Sequence, residues 1–326
     1  MDKKIYIGIL LLAVGMIFSF TSCDNDDLDS TSIFTDVETD EEGRVGLNPN
    51  SYSYELDRWL WDNYLLPYNL QYRYKMQDVG ADMNYNLVPT RYEKAIDMAV
   101  LTKYLWFDVY DKIVGPNFLK LYGPRIIHLI GSAAYNPNNG TKILGLAEGG
   151  IKVSLFQCND MDYNDIDYMN EQYFKTMHHE FSHILHQMKT YPKDFRLIST
   201  AHYMPFNWES REHEEAASLG FVSPYAGSET QEDFVEVIAN YIVKTDAQWN
   251  KILEMAEKEY NTDDEGNIVY DGVNGREVIL EKLEICKNWL SSAWGVELDD
   301  IRNEVQYRQA NIDIEFLRSQ ITADYE

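Results

Sequence analysis

Cysteine is scarce in this chain. Its three cysteines, Cys23, Cys158 and Cys286, stand at no zinc-ligand spacing, which excludes a zinc-finger-like thiolate motif. Basic residues are also few: 28 Lys and Arg face 54 Asp and Glu, for a net charge of -26. A chain this acidic is repelled by nucleic acid and by anionic lipid headgroups, so nucleic acid is excluded as a partner. The charge is a solubility feature first and says little about substrate. Long apolar runs are missing as well. The stretch from Ile5 to Phe20 is shorter than the roughly 20 apolar residues that span a bilayer. What the chain does have is material for a core. Of its 326 residues, 45% are hydrophobic and 13% aromatic, enough for one large domain or two modest ones.

Residues 1–22 read as a secretory signal peptide, with Lys3 and Lys4 ahead of the apolar run. Phe20-Thr-Ser-Cys23 resembles the lipobox of bacterial lipoproteins, which implies removal of the signal and lipidation of Cys23. Asp24, Asp26, Asp27 and Asp29 follow at once, and this acidic patch resembles the surface-export signal of Bacteroidota lipoproteins. Residues 23–48 hold few large apolar groups, so they read as a lipidated start and a flexible acidic tether. The folded domain is expected over 49–326. In an oxidising envelope Cys158 and Cys286 could pair, although sequence does not show that their backbones approach.

Along the domain, Ser53 to Leu66 reads as a helix ended by Pro67. Leu70, Tyr72, Tyr74 and Met76 alternate with polar residues as a half-buried strand does. A long helix is expected from Thr90 to Ile113, stopped by Gly115-Pro116. Strands follow at Arg125 to Ile130, Lys142 to Ala147 and Ile151 to Gln157, the last two around a Glu148-Gly-Gly150 turn. Ile151 to Gln157 is the candidate sheet edge for pairing with an extended peptide. A helix from Gln231 to Lys244 takes Thr230 as its cap. Everything from about 247 reads helical. The fold class is α+β: a small mixed sheet beside one central helix, with a mainly helical C-terminal part.

That central helix carries the chemistry. Thr176-Met-His-His-Glu-Phe-Ser-His-Ile-Leu-His-Gln187 contains His179-Glu180-Phe181-Ser182-His183. Positions four apart share a helix face, so His179 and His183 can aim two imidazoles at one metal ion. Glu180 then sits near the water that ion holds and can act as general base. Phe174, Met177, Phe181, Ile184, Leu185 and Met188 form the core-facing stripe, and no Pro or Gly interrupts residues 168–188.

Catalytic zinc takes three protein ligands and an open position. Glu232 and Glu236 stand four apart on the helix after Thr230. Glu232 is the expected third ligand, with Glu236 accepting a ring N–H from a metal-bound His. Glu236, His213 and His202 remain rival ligands. His186 and His178 read as local hydrogen-bonding groups, and Lys189 stands where a metzincin would place its third His.

His179-Glu-Phe-Ser-His183 with Glu232-Asp-Phe-Val-Glu236 resembles the gluzincin metallopeptidases, including the catalytic domain of anthrax lethal factor. The resemblance implies a zincin-like fold, Zn2+ as cofactor, Glu232 as ligand, and Tyr225, seven residues earlier, as a transition-state donor. More widely, residues 50–320 resemble zinc-binding metallopeptidase lipoproteins of Bacteroidota, described as substrate-import-associated zinc metallohydrolases. Pro67-Tyr-Asn-Leu-Gln-Tyr-Arg-Tyr74 and the lipobox support this likeness. It implies an outer-membrane lipoprotein acting on a peptide or protein substrate, associated with a TonB-dependent import system. The other function that fits is a non-catalytic substrate-binding lipoprotein of such a system. Glu180 argues for the enzyme, because a structural zinc site needs no general base.

Overall fold

The computed structural model describes residues 39–76, 87–136, 140, 142–143, 145–148, 151–261, 264–269 and 272–322. The expected signal peptide, Cys23 and most of the acidic tether lie outside the described residues. Contacts divide the chain into two compact units, Met1–Tyr54 and Glu55–Glu326. In the first, Arg44 pairs with Asp40 at 2.7 Å, and the Tyr54 hydroxyl donates to the same carboxylate at 3.2 Å.

Helix α1 (Tyr54–Leu60) continues through a π-helical turn (Trp61–Leu65) and a closing turn (Leu66–Tyr68). Pro67 does not end it, against expectation. It lies inside the closing turn, and the helix stops two residues later at Asn69 in the left-handed conformation, φ 54°. Strand β1 (Gln71–Arg73) follows, shorter than its alternating pattern predicts. Helices α2 (Tyr92–Thr102) and α3 (Asp108–Ile113) run on from each other through a second π-helical turn (Lys103–Phe107), and Gly115, at φ 102°, breaks the path. Helix α4 (Asn117–Tyr122) leads into β2 (Ile126–Leu129). A small antiparallel pair, β3 (Ala134–Tyr135) and β4 (Lys142–Ile143), precedes β5 (Gly145–Glu148) and β6 (Lys152–Leu155).

The main sheet has the order β1-β2-β6-β5. β1, β2 and β6 are parallel, and β5 returns antiparallel to β6 with Ala147 opposite Val153. The architecture is α+β with a mixed sheet, as the sequence predicts. The edge differs from expectation. β6 is hydrogen-bonded on both sides, and its Val153, Ser154 and Leu155 are all buried, as in an interior strand. The edge beside the central helix is β5.

A lead-in capped by Asp165 (Ile166–Met169) and a π-helical turn (Asn170–Phe174) bring the chain into the central helix α5 (Lys175–Met188). Phe174, Met177, Phe181, Ile184 and Leu185 are buried, while Met188 at the C-terminal end is 54% exposed. Two short helices follow: α6 (Lys193–Ile198), which no sequence pattern announces, and α7 (His213–Ser218). Helix α8 (Thr230–Val243) already includes Thr230, its expected cap; Glu229, one residue earlier, holds the cap position without a side-chain bond. α8 is buried nearly all round, as a helix inside a large core must be.

Helix α9 (Asp246–Ala256) opens on a capping box between Thr245 and Gln248. Helices α10 (Gly275–Trp289), α11 (Leu298–Gln309) and α12 (Ile314–Thr322) complete the chain. α8 packs against α5, α10 and α11. The two inner cysteines do not pair. Both are buried free thiols: Cys158 donates to the Leu155 carbonyl and Cys286 to the Phe234 carbonyl.

One ion pair fastens α10 to α8. Lys282 Nζ lies 2.6 Å from Asp233 Oδ2, and both side chains are fully buried. The Tyr203 hydroxyl donates to the same oxygen at 2.8 Å, and Lys282 also donates to the Gly220 carbonyl at 2.8 Å. Losing one partner leaves the other charge buried alone. Lys282→Met is expected to destabilise the protein by about 3–5 kcal/mol, and adding Asp233→Leu to recover most of that loss. Urea unfolding checks both: a single variant with the wild-type midpoint at unchanged slope would contradict the pairing.

Candidate metal centre

Helix α5 presents His179 and His183 one turn apart on the face that meets α8. Their Nε2 atoms lie 3.1 Å from each other. Glu232, in the first turn of α8, places Oε2 3.1 Å from His179 Nε2 and 3.3 Å from His183 Nε2. The three atoms form a near-equilateral triangle. Tetrahedral zinc with bonds of about 2.0–2.1 Å sets its ligand atoms about 3.3 Å apart, so the spacing and the N2O donor set fit that ion. Glu180 brings a carboxylate oxygen within 4.8 Å of both imidazoles, in a group of possible metal donors made of His179, Glu180 and His183.

Behind the triangle, Glu236 Oε1 meets His179 Nδ1 at 2.9 Å. Its other oxygen accepts from Ser223 Oγ at 2.7 Å and Asn240 Nδ2 at 3.1 Å. His183 Nδ1 meets His186 Nε2 at 2.9 Å. Tyr225 stacks on His179 with ring centres 5.9 Å apart, and Trp208 stands edge-on to Tyr225 at 4.9 Å.

The electrostatics follow from burial and these contacts. Burial pulls His179 down, but its hydrogen bonds to Glu232 and Glu236 prevail and raise it to about 10. Burial pushes Glu232 up, yet His179 and His183 hold it well below the usual carboxylate range. Glu236 is also held low: burial opposes, and Lys175 and His179 outweigh it. Glu180 behaves differently. Burial raises it, the Glu232 and Glu236 charges add to that, and His179 and His183 offset only part. Burial, then Glu232, raises Tyr225 so that its hydroxyl keeps its proton.

Of the seven histidines, the rest lie apart or play other parts. His178 faces the core, its Nδ1 3.2 Å from the Tyr110 hydroxyl, and burial lowers it to about 3. His202 lines a separate cavity of about 350 Å³ with Ser199, Glu277 and Glu281. His213 is exposed at the start of α7. Neither joins the triangle. Sequence reasoning missed Ser223, Asn240 and Lys175 around Glu236. Asn240, one turn beyond Glu236, and Lys175, one turn before His179, are signals that helical spacing could have supplied.

A ring must be neutral to bind metal, whereas without metal His179 keeps its proton up to about 10. Zinc binding is therefore expected to expel a proton, with apparent affinity rising about tenfold per pH unit between about pH 6 and 8. Calorimetry in buffers of different ionisation enthalpy measures this. A binding heat that does not depend on buffer would contradict it.

Residues 50–299 match a family described as "Putative zinc-binding metallo-peptidase". A crystal structure of a protein of the same description, from Bacteroides caccae ATCC 43185, is 40% identical with a TM-score of 0.67. The match covers 80% of this chain and 94% of that one. No curated protein matches. With the family match spanning most of its length and a relative this similar, the chain belongs to this zinc-binding metallo-peptidase family.

Proposed function

We propose that this protein is a zinc peptidase of the gluzincin type, sharing the site layout of the lethal factor catalytic domain, that hydrolyses peptide bonds in a peptide or protein substrate. The observation that carries this reading is the convergence of His179 Nε2, His183 Nε2 and Glu232 Oε2 to within 3.1–3.3 Å of one another, with Glu180 beside them. When bound there, zinc lowers the pKa of its water toward neutrality and polarises the scissile carbonyl.

The protein's own residues supply the rest. Glu180, its pKa raised by burial, takes the proton of the attacking water and returns it to the leaving amine. The Tyr225 hydroxyl, kept protonated, donates to the oxyanion as charge develops there. An extended substrate pairs its backbone with β5, the edge strand that packs beside α5. Glu180→Gln is expected to keep the metal and lose about 100-fold or more in kcat. Chelator-sensitive cleavage of a broad peptide library, run beside metal analysis, is the test. Full activity in that variant sinks the role of Glu180. Metal without cleavage in the wild type favours the non-catalytic, substrate-binding alternative.

The proposal extends to location. Lipidation at Cys23 would anchor the protein to the outer membrane, in association with a TonB-dependent import complex. The support is Lys3 and Lys4, the apolar run to Phe20, Thr21-Ser22-Cys23 and the acidic residues after it. Cys23→Ser is expected to shift the protein from the membrane fraction to the soluble one. A variant that stays with the membrane would contradict the anchor.

A further inference from the structure

The two imidazoles that face Glu232 are held from behind by unlike groups. His179 has a buried carboxylate, Glu236, itself fixed by Ser223 and Asn240. Among the described residues, no carboxylate meets the Nδ1 of His183. It has another imidazole, His186 Nε2, at 2.9 Å and one turn further along α5. The His186 ring is wedged edge-on against Tyr191 at 5.5 Å and Phe234 at 6.5 Å. These contacts hold the His186 Nε2 facing the His183 Nδ1.

We propose that His186 is a positioning residue for the metal centre: its Nε2 accepts the Nδ1–H of His183 and so turns the bare Nε2 of His183 toward the metal. The inference rests on the zinc reading above. The hydrogen bond selects one of the two neutral tautomers of His183 and holds its ring plane. Without an acceptor, the His183 N–H is left unpaired in a largely dry site. The ring can then rotate or take the tautomer that turns an N–H toward Glu232. An imidazole also supports His183 without adding a fourth carboxylate to a site that already holds Glu180, Glu232 and Glu236.

The test is the zinc affinity of the full chain, measured by competition with a chromophoric chelator, for the wild type, His186→Leu and His186→Gln. Gln offers an acceptor oxygen within similar reach; Leu offers none. Leu is expected to weaken binding by about 10–100-fold and Gln to stay within about threefold of wild type. Circular dichroism and the unfolding midpoint of the metal-free proteins show whether each variant is folded. Equal affinity in all three overturns the positioning role while leaving the zinc reading intact. Gln binding as weakly as Leu also overturns it, because the acceptor would then not be what matters. A wild type that binds no zinc overturns the zinc reading and this inference together.

Discussion

Helix α5 packs its histidine face on α8 only by bringing two imidazoles up against two carboxylates. Everything at the site depends on that packing. Phe181, Ile184 and Leu185 on one helix and Phe234, Val235 and Ile238 on the other are within 2% of complete burial. Polar groups trapped beside such contacts are costly unless paired. Here they pair with one another: His179 with Glu232 and Glu236, His183 with Glu232 and His186. The donor triangle and the stability of the helix pair are thus one arrangement.

The charges next to the triangle are managed in the same way. Lys175, one turn before His179, is raised because Glu236 and Glu171 outweigh its burial. It is ion-paired with Glu171, which Lys244 also approaches at 3.4 Å. Asp233 follows Glu232 directly in sequence but points to a different side of α8, where Lys282 pairs with it and the Tyr203 hydroxyl donates to it. Adjacent acidic residues therefore face different partners. Glu232 is left to the imidazoles, and Asp233 ties the C-terminal helices to the helix that carries the site.

The histidine pair is legible in the sequence because both residues and the stripe opposite them lie within one uninterrupted helix, where spacing alone assigns the face. Glu232 is legible only among rivals. Chain spacing does not say which helix packs on which, and His202 and His213 drop out because their segments fold elsewhere. Strand order is less legible still. The segment from Ile151 to Gln157 looks the same in sequence whether it is an edge or an interior strand; its hairpin with β5 is local, but the parallel pairing with β2 that makes it interior is not. Lys282 reads as one more polar residue on a helix, and nothing local shows that it is buried. His186 has helical spacing to His183, yet spacing cannot tell a ring that accepts a hydrogen bond from one that lines a cleft.

The most direct measurement is X-ray diffraction from zinc-loaded crystals, with anomalous scattering recorded on both sides of the zinc absorption edge. The account predicts a single strong zinc peak about 2.0–2.2 Å from His179 Nε2, His183 Nε2 and Glu232 Oε2, with the remaining position open toward Glu180. Zinc found only on other donors, or an empty triangle in protein carrying a full equivalent of metal, would contradict it.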